Sequence, residues 1–160
     1  MGLDACVYCN CYESGKLHTL PPRSELVYVD QDGALACRDE GDDDLYFEFT
    51  RWLHNQACEH IDGIVVHCRI GNTALVGLLR KELESNQGIF PLVVGKVLYS
   101  GTHGGDYIKV SDVVEMQGEI KQLSKIHSNN SKTEAILRGF EEQMSELVEC
   151  SLKMNKPISF

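Results

Sequence analysis

Residues 63–83 change hydrophobic period partway along, and that change constrains the fold more than any other feature of the chain. Gly63-Ile64-Val65-Val66-His67-Cys68 is a continuous apolar run of strand length, followed at Gly71-Asn72 by turn and cap residues. Beyond them Leu75, Val76, Leu78, Leu79 and Leu83 recur at helical spacing. A strand, a turn and a helix in immediate succession call for a sheet with helices laid on it.

The rest of the chain reads in the same terms. Residues 3–12 (LDACVYCNCY) are β-branched, aromatic and small apolar types without Gly or Pro, and predict a buried strand that Glu13-Ser14-Gly15 ends. Glu25–Val29 and Ala34–Cys37 flank Asp30-Gln31-Asp32-Gly33, which has hairpin chemistry. Asp42-Asp43-Asp44 precedes a helical stripe of Leu45, Phe49, Trp52, Leu53 and Gln56, where carboxylates at the N-terminus favour the macrodipole. Leu92 to Tyr99 reads as a further apolar segment, closed by the glycine-rich loop Ser100 to Asp106. Two helices follow, one capped by Ser111 and one carrying Leu137, Phe140, Met144, Leu147 and Val148, and the tail from Lys156 packs back as a short extended piece. The expected fold is α/β or α+β: a single mixed sheet with a β-hairpin, about four helices packed on it, and two long helices toward the C-terminal end. The 160 residues have neither repeat nor long linker and are read as one globular domain, 1–160.

Charge narrows the classes of partner. Fifteen basic against 24 acidic residues give −9, which disfavours nucleic acid, since a phosphate-backbone binder needs a basic stripe. A basic protein partner is favoured instead. With no run of about 18 apolar residues and no basic start leading into an apolar stretch, neither a membrane span nor export is expected, and the location is read as cytoplasmic. Seven cysteines without an export signal suit a reducing compartment where most are small buried hydrophobes.

Several polar groups are placed where chemistry could occur. Cys6, Cys9 and Cys11 spell C-x2-C-x-C, but an extended backbone turns Cys6 away from Cys9 and Cys11, and no second C-x2-C completes four ligands. His54 and Cys58, four apart on a helix with His60 nearby, lack the H-E-x-x-H pattern. No metal and no cofactor is assigned; G-x-S-x-G, P-loop and dinucleotide fingerprints are all absent. Polar residues also end three apolar segments: Tyr12; His67, Arg69 and Asn72; and His103 with Asp106. Were those segments strands running in one sense, their carboxyl ends would bring the six groups to one edge as a ligand or anion site, with His67 or His103 as acid/base. Local roles compete with that reading: Asn72 as a helix cap, Asp106 in an Asx turn, His67 as a buried histidine. His103, between glycines, is expected to be exposed.

His67-Cys68-Arg69-Ile70-Gly71-Asn72-Thr73-Ala74 resembles the phosphate-binding loop of protein tyrosine phosphatases, H-C-x2-G-x2-R, with Ala74 where that loop has its arginine. The resemblance covers about ten residues and implies at most a degenerate anion loop. On a longer scale, M-G-L-D-A-x-V-Y-C-N-C-Y-E, H-x-R-I-G-N-x-A-L-V-x-x-L-R-x-E-L and K-V-L-Y-S-G-T-H-x-G-D-Y resemble small uncharacterised bacterial proteins of about this length. Their size, acidity and lack of an export signal are similar to immunity proteins of bacterial toxin systems. The expected function is therefore a non-enzymatic binding protein, an immunity-type inhibitor of a basic toxin domain. Its contacts would come from the acidic run that includes Asp39, Asp42, Asp43 and Asp44, and from Glu142 and Glu146, beside Glu141 and Glu149, on the last helix. A homo-oligomer through the C-terminal helices is a third arrangement.

Overall fold

The computed structural model describes residues 2–38, 41–86, 88–103 and 105–160. Strand β1 (Gly2–Tyr8) alternates strictly, burying Leu3, Ala5 and Val7 while Asp4, Cys6 and Tyr8 face the other way. It pairs antiparallel with β4 (Ile64–Asn72), Ala5 lying opposite Cys68 and Gly2 opposite Asn72. On its other side it meets β6 (Ile158–Ser159), which in turn pairs with β5 (Tyr107–Ile108). The order β4-β1-β6-β5 is antiparallel throughout, so the tail from Lys156 does pack back, and it does so inside the sheet.

The expected hairpin forms from β2 (Val27–Val29) and β3 (Leu35–Cys37) and stands as a sheet of its own. It is tied to the main sheet at its turn, where Ser159 Oγ donates to Asp32 and the buried Lys156 Nζ donates to the Gly33 carbonyl at 3.1 Å. Helix α1 (Asp43–Asn55) buries Phe49 and Trp52 against this unit, making a small core with Val27 and Ala57. Helices α2 (Thr73–Glu84), α3 (Val110–Leu123) and α4 (Ser131–Met154) enclose the main core with the Leu3, Ala5, Val7, Cys68 and Ile70 face of the sheet. The mixed α/β class, four α-helices among the described residues and the long C-terminal helix agree with the sequence reading.

One apolar segment differs. Residues 91–97 are helical, with Val94 N–H bonding Phe90 O and Leu98 N–H bonding Val93 O. Phe90, Val93, Val94, Val97 and Leu98 are all buried, a spacing of three and four that fits a helix as well as the continuous run fitted a strand. No helix among the described residues is long and apolar enough to cross a membrane.

Candidate functional site

The six groups expected at one sheet edge fall into separate places. His67 and Arg69 project from the outer face of β4 toward Asp4 of β1, at 3.9 and 3.6 Å, and the Arg69 guanidinium covers Gly2. His103 and Asp106 meet beside β5, on the opposite edge, three strand spacings or roughly 14 Å away across the sheet. Tyr12 lies in the hairpin core, its hydroxyl facing the Val27 carbonyl at 3.5 Å. Asn72 caps α2, its Oδ1 accepting from Leu75 N–H at 2.9 Å. The premise of strands in one sense is corrected by the pairing of Gly2 with Asn72, which sets the end of β4 against the start of β1.

The expectation that His103 is exposed is also corrected. Its side chain has no exposed surface, lying between the rings of Tyr99 and Phe160 with centroids at 4.4 and 4.8 Å. Nε2–H donates to the Val97 carbonyl at 2.9 Å, while Nδ1 lies 3.4 Å from Asp106, itself the acceptor of the Tyr99 hydroxyl. The pliable loop folds the imidazole inward, so neighbouring glycines were a poor guide to exposure.

Cys68 lies within β4 and is not at the mouth of a loop. Its Sγ packs 3.8 Å from Glu146 Oε2, and burial, reinforced by that carboxylate, pushes the thiol up from 9.0 to about 11. A nucleophilic cysteine needs the opposite shift. Gly71 continues the strand at φ +155°, and a Cβ there would lie 2.2 Å from Leu75 Cδ2. The glycine of the phosphatase-like string therefore makes room for a leucine.

The acidic residues divide by role. Asp42 caps α1, accepting from Leu45 N–H at 3.1 Å, and Asp43 and Asp44 occupy its exposed first turn. Asp39 lies outside the described residues. Glu142, Glu146 and Glu149 form an exposed row on one side of α4. That row runs beside the outer edge of β4, whose only strand partner among the described residues is β1. Gln143 Nε2 reaches the edge and donates to Arg69 O at 3.0 Å. A groove of about 230 Å³ separates the two elements, lined by Val65, Val66, Glu146, Glu149 and Lys153.

The densest chemical cluster joins residues that the sequence kept apart. The chain leaves the β1 ladder after Tyr8, turns, and sets Cys9 and Cys11 beside Cys58; the three Sγ atoms lie within 4.8 Å of one another. Cys58 is off the helix, since α1 ends at Asn55, and His54 is engaged with Asp62 at 3.0 Å. Burial, together with the neighbouring thiols, raises Cys11 to about 12, and burial raises Cys9 as well. The extended backbone expected through Cys9 and Cys11 stops at Tyr8, so Cys6 stays in the ladder while the other two lie in the turn beyond it, and nothing in local spacing announces a third thiol 49 positions away.

No protein-family model, curated protein or solved structure matches the chain.

Proposed function

We propose that the protein is a non-enzymatic binding protein of the immunity type, which masks a basic toxin domain in the cytoplasm. The observation that carries this reading is the edge of β4, which has no second strand partner among the described residues, alongside the Glu142, Glu146 and Glu149 row. An unpaired strand edge offers a ladder of backbone donors and acceptors to an extended segment. The carboxylates beside it would select a segment rich in Lys or Arg, and a net charge of −9 steers such a partner in from a distance.

The test is affinity capture of the tagged protein from host lysate at about 0.05 M and 0.5 M salt, with the triple variant E142Q/E146Q/E149Q run in parallel. A stoichiometric basic protein should co-purify at low salt, dissociate at high salt, and bind the triple variant at least about tenfold more weakly. A partner held equally by the triple variant, binding indifferent to salt, or no partner at all would overturn the reading.

A further inference from the structure

The thiol cluster has the geometry of a metal site. A tetrahedral zinc ion with sulfur ligands at about 2.3 Å holds them about 3.8 Å apart. Cys9 Sγ and Cys58 Sγ are 3.8 Å apart, and Cys11 Sγ completes a triangle with no side longer than 4.8 Å. All seven cysteines are thiols, so no disulfide accounts for the convergence.

The backbone around the sulfurs is arranged to hold them. Cys9 N–H bonds Gly63 O at 2.7 Å, and Gly63 turns there at φ +69°, a conformation that favours glycine. Lys16 N–H closes the turn onto Cys11 O at 2.8 Å. Against the cluster lies a small, partly open cavity of about 20 Å³, lined by Cys9, Cys58, Tyr12, Ala57 and Lys156, which has room for about one water.

The surrounding chain has no regular structure of its own and is tied to the end of α1 by hydrogen bonds, His18 N–H to Ala57 O at 2.8 Å and Thr19 Oγ1–H to Gln56 O at 3.0 Å. Residues 9–23 contain neither helix nor strand, and Glu13 to Lys16 and His18 to Leu20 are exposed. A segment of that length without secondary structure is uncommon in a compact domain unless something fixes it.

We propose that Cys9, Cys11 and Cys58 are the protein ligands of a zinc ion, whose fourth position is filled by a water in the adjoining cavity. Binding breaks three S–H bonds and forms three Zn–S bonds, releasing three protons to solvent and leaving a zinc–thiolate unit of charge −1. The ion pins the turn after β1 to the loop after α1, and its binding does not depend on the partner proposed at β4.

The experiment uses the full chain, reduced, stripped with chelator and titrated with cobalt(II) and then zinc. Cobalt should bind at one per chain, with the visible bands of a tetrahedral site and a thiolate-to-cobalt charge-transfer band, and zinc should displace it. X-ray absorption of the zinc form should read three sulfur neighbours at about 2.3 Å. Cys9→Ser, Cys11→Ser and Cys58→Ser should each weaken binding by at least about tenfold, while Cys6→Ser leaves it unchanged. If the serine variants do not fold, the cobalt spectrum of the unaltered chain decides alone. A missing stoichiometric spectrum, one that survives Cys58→Ser, or a Cys9–Cys58 disulfide in the freshly purified protein would overturn the proposal.

Discussion

Both carboxylate oxygens of Glu119 accept the backbone N–H of Leu92, at 2.9 and 3.1 Å, and one also accepts Val93 N–H at 2.9 Å. A side chain on α3 thus closes the start of the helical segment at 91–97, satisfying donors that the preceding chain leaves open. Pro91, at the first position, has no N–H to satisfy.

Glu119→Ala should therefore destabilise the protein by about 2–3 kcal/mol, because it strands the buried N–H of Val93 and the half-buried N–H of Leu92. Glu119→Gln, which keeps one acceptor oxygen, should lose less. Urea unfolding of the three proteins checks the order.

Gly71→Ala should cost at least about 2 kcal/mol, since the new methyl collides with Leu75 at a backbone angle that favours glycine. Pairing it with Leu75→Ala tests the cause. Part of the loss should be recovered in the double variant, and simple additivity would argue against the steric account.

Asp42 separates capping from charge. Asp42→Asn keeps an oxygen for Leu45 N–H and should change stability little, whereas Asp42→Ala should lose about 1 kcal/mol. Thermal unfolding at matched salt distinguishes the two.

Cys68 predicts a pH dependence. Its thiol holds its proton more tightly in the folded chain, so its contribution is intact below pH 9.0 and is lost as pH rises toward about 11. The unfolding midpoint of the wild type should fall more steeply across that interval than that of Cys68→Ser. In the native protein at pH 7 the same thiol should resist alkylation.

Legibility in the sequence followed the length of each pattern. The hairpin, the cap at Asn72 and the stripe of α4 were readable because each repeats a signal over several residues. Ile158–Ser159 were not readable as an interior strand, because two residues carry no alternation. The run at 92–99 was ambiguous because a segment buried among neighbours has no polar face to reveal its period. For the candidate sites, local roles were foreseeable, as with Asn72 and Asp42, but convergence was not. Antiparallel pairing sent His67 and His103 to different edges, and two loops far apart in sequence brought Cys58 to Cys9.

The place of β6 between β1 and β5 also bears on how the chain folds. Strand β1 takes one partner from far along the chain, Cys6 pairing with Ser159, and β5 joins the sheet through that same strand. The hairpin and α1 draw on near neighbours and can settle early, but the main sheet closes only once Ser159 is in place between its partners. Until then Leu3, Ala5 and Val7 depend on β4 and the helices for cover, so folding should be slower than the helical content alone would suggest.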